Sequence, residues 1–472
     1  MEALYTTIAL ALPVLLGGLW LNAFIPAQSA GRTALVWGNG TLVGLLLIPQ
    51  LMLGLDALDI PLTFRSTGSL VGILIALALV VQLFKGKRSL LSHTPVLYYS
   101  ALPASHKALF LFLLLLIVLR MTTLGLEVLW RPLFPWDATM HWATKARVWY
   151  EYNSIVPFVL NWEWLELGGK GVFTDAHADY PATIPLLQVW MSLTLGQWNP
   201  SLMNLPWLLC LIALGTAFYG QLRVSGVGPV IAMAFGYLLL SMPLLNIHVA
   251  LAGYADLFLG AAYCAGLMAG HGWAKTRQPW QAVLALFFAI SCAFIKAEGL
   301  VWSLTFIPAL AVTYMARREA AKLYVLFTLV LVLLWLLVPQ DLVVAGHTVE
   351  TLSPEFRPHG LLGIVQSIWL HDNLHLLGYL LLASIPLGIM MPGAMTRTYL
   401  EITVALGTAV IAFMFLFLFT GFGVAASDFT GVGRLSIQLA PGLLYLIALL
   451  CNELLTRGGV KAAPRTAAQL TN

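Results

Sequence analysis

The sequence predicts an all-α, polytopic membrane protein with one large outer loop, and three observations predict it. Hydrophobic residues make up 60% of the chain and charged residues 9%, with a mean hydropathy of +0.88, outside the range of soluble globular domains. Apolar runs of about 20 residues, enough to cross a hydrocarbon core, recur from end to end. The charges are unevenly spread: Asp137, His141, Lys145, Arg147, Glu151, Glu163, Glu166, Lys170, Asp175, His177 and Asp179 crowd into one stretch. In a membrane protein such a concentration of acids, bases and tryptophans marks the working region.

The apolar runs define about thirteen spans, at 3–24, 34–55, 69–84, 108–130, 200–222, 228–247, 250–272, 279–296, 299–315, 320–338, 373–392, 398–423 and 434–456. Basic residues orient them, because cytoplasmic loops retain Lys and Arg. Arg32, Lys85, Lys87, Arg88, Lys107, Arg223, Lys275, Arg277, Arg317, Arg318, Lys322, Arg397, Arg457, Lys461 and Arg465 fall on one side, against Arg65, Arg131, Lys145, Arg147, Lys170 and Arg357. The expectation is a cytoplasmic-membrane protein with its N-terminus outside, its C-terminus in the cytoplasm and its active site facing outward. The net charge of +4 follows from this bias and identifies no partner; nothing points to nucleic acid. Met1-Glu2-Ala3 lacks a basic leader, so the first run reads as a retained span. Cys210, Cys264, Cys292 and Cys451 sit in apolar runs, as small buried hydrophobes.

Three parts follow: three helices over 1–105, a catalytic core over 106–457 with outer loops 131–182 and 339–372, and a disordered cytoplasmic tail over 458–472. The apolar segment 183–196 is too short to cross and is expected to be a re-entrant or interfacial helix, forming a cavity wall. Within the first outer loop, Trp142, Ala146, Trp149 and Tyr150 recur at helical spacing, predicting an amphipathic helix at headgroup level with His141, Lys145 and Glu151 off the stripe. The second outer loop holds Asp341, His347, Glu350, Glu355, Arg357, His359, His371 and Asp372.

Each candidate site residue has a bland alternative. Asp137 precedes the amphipathic helix and could cap it; as a functional group it is a general base. His177 and Asp179 stand before Tyr180-Pro181. An extended lead-in to the proline would point both side chains at one ligand, although they could simply be polar residues before a helix. Asp256 sits at a helix start, where the dipole favours an anion, yet a carboxylate beside hydrocarbon raises the question of function. Lys296 and Glu298 interrupt a long apolar run, either as a self-satisfied ion pair or with the lysine on a phosphate. Arg434 opens the last span with Gln438 one turn on, and snorkelling is its ordinary explanation. Arg120 lies deep in a span with no partner evident. His371 and His375 have a helical spacing without the glutamate of a zinc-protease motif. The topology brings Asp137, His177, Asp179, Asp256, Lys296, Glu298 and Arg434 to one face, where cations suit a lipid phosphate and a carboxylate suits an incoming hydroxyl.

Five ordered motifs, Trp136-Asp137-Ala138, His177-Ala178-Asp179-Tyr180-Pro181, Tyr254-Ala255-Asp256, Ile295-Lys296-Ala297-Glu298-Gly299 and Arg434-Leu435-Ser436-Ile437-Gln438-Leu439-Ala440-Pro441, carry a resemblance. The chain resembles the GT-C superfamily of integral-membrane glycosyltransferases, which use polyprenyl-phosphate-linked sugars; the first three spans lie outside the resemblance. It implies that Asp137 is the catalytic residue and that Asp256, with Asp179, joins it or holds a divalent metal ion such as Mg, Mn or Zn. His177, Asp179, Tyr180, Lys296, Glu298 and Arg434 would contact the substrate, Lys296 and Arg434 at the lipid phosphate. The chain departs from oligosaccharyltransferases in lacking a Trp-Trp-Asp motif and a large soluble C-terminal domain, which argues against an asparagine acceptor.

The expected activity is inverting transfer of one sugar from a polyprenyl phosphate to a hydroxyl on a glycan, lipid or protein. Asp137 would orient and deprotonate the acceptor. An unperturbed aspartate titrates near 3.9, so proton transfer to it would come late. The competing readings are a lipid-linked glycan flippase or transporter, whose charges gather near the bilayer midplane, and a glycan polymerase or ligase.

Overall fold

The computed structural model describes residues 1–27, 29–86, 102–339, 342–344, 347–348, 355–390 and 398–457. It is 78% helical with almost no sheet, as an apolar backbone must be when water cannot satisfy its amides. Among the described residues seven helices are long and apolar enough to cross a membrane: Glu2–Phe24, Arg32–Asp56, Phe64–Phe84, Ala104–Trp130, Leu202–Val224, Leu400–Phe419 and Val432–Thr456. The pair Pro229–Leu240 and Pro243–Ala250, bent by 55°, makes an eighth if it is one span. The chain is a multi-pass, all-α membrane protein. Lys87, Arg88, Arg397, Lys461, Arg465, Asp341, Glu350 and the tail 458–472 lie outside the described residues.

Prolines explain where helices depart from the apolar runs. The bend within the run 228–247 falls at Pro243, which has no amide hydrogen for the preceding turn. The run 299–315 breaks at Thr305 into Glu298–Leu304 and Phe306–Tyr314. Pro308 has no amide hydrogen for the Leu304 carbonyl four residues back, and at the break the Thr305 hydroxyl bonds the Trp302 carbonyl at 2.7 Å. The run 250–272 becomes helical only at Asp256.

The first helices are integral to the bundle. Glu2–Phe24 packs along Arg32–Asp56, which packs in turn on Leu205–Val224. Buried Arg32 bonds Asn22 Oδ1 at 2.5 Å, and the Asn22 amide reaches Gln82 Oε1 at 2.8 Å. Trp190 Nε1 donates to the Ala9 carbonyl at 2.9 Å.

Thr183–Leu195 is a helix buried among its neighbours. One expectation for the first outer loop is corrected: the stripe Trp142, Ala146 and Trp149 is buried against that helix, and Lys145 is buried with it. An amphipathic stripe reports a partner of low polarity, and a packed helix satisfies it as well as a bilayer does. In the second loop, Asp372 and His375 both have positive φ (52° and 50°), so the chain turns there and the helical pairing of His371 with His375 does not form.

Candidate active site

Asp256 is the centre of the charged cluster. Its carboxylate is fully buried at the first residue of Asp256–Thr276 and has all its bonds from distant elements. Oδ1 accepts from Lys296 Nζ at 3.0 Å and from Gln438 Nε2 at 2.6 Å; Oδ2 accepts from Arg434 Nε at 3.0 Å. Lys296 lies in the extended break between Pro279–Ile295 and Glu298–Leu304 and also pairs with Glu298 at 2.9 Å. Trp302 Nε1 fixes Gln438 through its Oε1 at 2.6 Å.

Arg434 extends the cluster to the outer loop. Its Nη1 reaches Asp137 Oδ2 at 2.5 Å, and its guanidinium lies over the Tyr254 ring, 4.7 Å from the centroid. Asp137 makes no side-chain cap, so the capping alternative fails on geometry. Its carboxylate is 24% exposed and its other oxygen makes no hydrogen bond among the described residues. Arg434 Nη2 is buried with no hydrogen-bond partner among them. The snorkelling alternative for Arg434 fails too, since its guanidinium is spanned between two carboxylates.

The two acid-bearing segments approach closely at Gly253. Gly253 adopts φ +114°, which L side chains avoid, and a Cβ there would strike Leu133 and Ala138. Residues 138–143 form a π-turn, ahead of the α-helix Thr144–Tyr152. Such wide turns cluster at functional sites.

Asp175 organises a second group. Its buried carboxylate accepts His141 Nδ1–H at 2.6 Å and the His177 amide at 2.9 Å on Oδ1, with Lys145 Nζ 3.5 Å from Oδ2. Lys145 also donates to the carbonyls of His177 at 2.5 Å and Ala178 at 3.2 Å. Burial pushes its amine below the usual lysine range, with Asp175 working against that. The His177 ring stacks on Tyr180 at 4.4 Å and meets His141 edge-on at 4.6 Å. Burial pushes the Tyr180 phenol up to about 12, and the charges of Lys296, Glu298, Arg434 and Asp137 reach it. Tyr180 therefore joins the two groups.

Asp137, Asp256, Lys296, Glu298 and Arg434 come together, and Tyr180 borders them. His177 and Asp179 do not act as a pair: residues 176–179 form a turn, and Asp179 is exposed on it. The extended conformation favoured before proline yields here to the bond from the Tyr180 amide to the His177 carbonyl, 3.1 Å. Gln438, Trp302 and Tyr254 belong to the first group and His141, Asp175 and Lys145 to the second.

The donor set does not fit a resident divalent ion. Both Asp256 oxygens are taken by nitrogen donors, Asp179 stands apart, and among the described residues no three His, Cys, Asp or Glu side chains are grouped to hold a metal. Comparison with family models, curated proteins and solved structures finds no match.

Proposed function

We propose that the chain is an inverting glycosyltransferase of GT-C type, built on about thirteen spans. It moves a sugar from a polyprenyl-phosphate donor to a hydroxyl of a glycan, lipid or protein acceptor at the outer face of the cytoplasmic membrane. The observation that carries this reading is the Arg434 bridge. One guanidinium, held between Asp137 and Asp256, keeps a donor nitrogen in reserve beside Lys296, and an accessible carboxylate stands next to it.

A sugar phosphate needs its leaving phosphate held by cations as the anomeric bond breaks. Arg434 Nη2 and Lys296 supply hydrogen bonds of the charge-assisted kind. Three carboxylates, Asp137, Asp256 and Glu298, face two cations, Lys296 and Arg434, so the cations stay ionised and preorganised before substrate arrives. Asp137 orients the acceptor hydroxyl against the phosphate-holding edge. A translocation path would need such charges to continue through the bilayer, whereas these gather at the ends of helices around one break.

The test uses purified protein in nanodiscs with radiolabelled polyprenyl-phosphate sugars extracted from host membranes. Label transfer with release of polyprenyl phosphate by the wild type, lost in Asp137→Asn, supports the reading. Movement of intact lipid between vesicle leaflets without cleavage replaces it with a flippase.

A further inference from the structure

One Asp137 oxygen is held by Arg434 in the ion pair just described and the other is left to orient the acceptor, so a separate group can take the acceptor's proton. His141 lies four residues further on, within the π-turn 138–143 that follows Asp137. Its Nδ1 is held by Asp175 at 2.6 Å, so the other nitrogen, Nε2, carries the free lone pair of the neutral ring. Nε2 makes no hydrogen bond among the described residues, and the His141 side chain is 13% exposed. A carboxylate behind an imidazole fixes its tautomer and stabilises the imidazolium once formed.

We propose that His141, oriented by Asp175, is the general base for the acceptor hydroxyl; the proposal rests on the glycosyltransferase reading above. The acceptor O–H breaks with its proton going to His141 Nε2, and the acceptor oxygen bonds the anomeric carbon. The bond from that carbon to the phosphate oxygen breaks, and its electron pair leaves on the phosphate, against Arg434 and Lys296. Water then takes the proton from His141. Asp137 touches the reacting hydroxyl and aligns it, its charge matched to Arg434. Asp175 is a positioning residue.

The surroundings suit the assignment. Around His141 are Asp175 from the end of Phe173–Thr174 and His177 and Tyr180 from the following turn; Lys145, four residues on, meets the same Asp175 carboxylate, and Asp137 lies four residues before it. The helix Thr183–Leu195 packed behind carries no charged residue. Lys145 sits on the far oxygen of Asp175 and keeps that carboxylate in place.

The deciding measurement is the pH dependence of single-turnover transfer in nanodiscs, with host-extracted radiolabelled polyprenyl-phosphate sugars and the membrane glycan fraction as acceptor. An imidazole base and a carboxylate base give acid limbs in separate pH ranges, the imidazole's the higher. His141→Gln should lower the single-turnover rate roughly 100-fold or more and abolish the acid limb, with donor binding by the same labelled lipid unchanged. Asp175→Asn should lower the rate and shift the limb without removing it. A wild-type acid limb that His141→Gln leaves in place, or His141→Gln turning over at the wild-type rate, overturns the proposal and leaves the transferase standing. No turnover by the wild type with any donor removes the transferase reading and the base with it.

Discussion

Arg434 Nη1 lies 2.5 Å from Asp137 Oδ2, a pair made across 297 residues of chain, and its Nε lies 3.0 Å from Asp256 Oδ2. The guanidinium is thus a rigid strut between the outer loop and the start of Asp256–Thr276. Its planar fork fixes the direction of its bonds to the two carboxylates, which a point-like ammonium does not.

Arg434→Lys should therefore keep the fold and lose the function. A lysine ammonium retains the charge but lacks the rigid fork that reaches Asp137 and Asp256 from separate nitrogens, so Asp137 is no longer held in place. The expected outcome is a rate loss of about 100-fold or more in the transfer assay, on the scale of removing one electrostatic stabiliser, with expression and melting temperature close to wild type. Wild-type turnover in Arg434→Lys would show that charge alone suffices.

Asp256→Asn tests stability at the same node. The buried carboxylate neutralises Lys296 and Arg434 and accepts from Gln438. Removing one partner of a buried pair leaves the others uncompensated, at a cost of about 3 kcal/mol or more. Thermal unfolding in detergent should show the loss directly. Asp256→Asn/Lys296→Met should recover part of it, because the stranded ammonium is gone; a double variant whose loss equals the sum of the two single losses would mean the pair is not coupled.

The helical membrane class was legible because hydrophobic run length is fixed by bilayer thickness, which local sequence reports directly. Asp137, Asp256, Lys296 and Arg434 were legible singly, as charges that apolar surroundings do not tolerate without partners. Their bonding was not: Gln438 meets Asp256 across 182 residues, and no spacing encodes that. The burial of Lys145 was hidden for another reason. Its charge placed it on the polar side of the stripe, but two backbone carbonyls and Asp175 compensate it inside. Asp175 was one acid among many until its partners were placed around it.

Tyr180 should titrate late. Its phenol holds the proton up to about 12, while an unfolded tyrosine releases it near 10. Between these values the unfolded chain binds fewer protons, so this group's contribution to stability falls as pH rises from about 10 to about 12 and is intact below that window. Tyr180→Phe should remove an absorbance change at 295 nm centred near pH 12 and flatten the alkaline loss of stability. A Tyr180 signal near pH 10 would show that the ring is not sealed between His177 and Trp142.

Gly260 offers the sharpest test of how the helices set the site. It lies one turn below Asp256, where a Cβ would sit 2.8 Å from the Ile437 carbonyl oxygen and 3.1 Å from Gln438 Cα. Both obstacles are backbone, so no rotamer change relieves them. Gly260→Ala should push the final helix away from Asp256–Thr276, stretching the bonds from Gln438 and Arg434 to Asp256. Gly270→Ala is the matched control on the same helix, since its Cβ would meet only the Ala285 methyl at 3.9 Å. There alanine should be neutral or stabilise by up to about 1 kcal/mol through helix propensity. The expected contrast is an active Gly270→Ala and a Gly260→Ala that is folded by circular dichroism, lower in melting temperature and depressed in transfer. Equal behaviour of the two would mean that the close approach at residue 260 does not set the distance between Asp256 and Arg434.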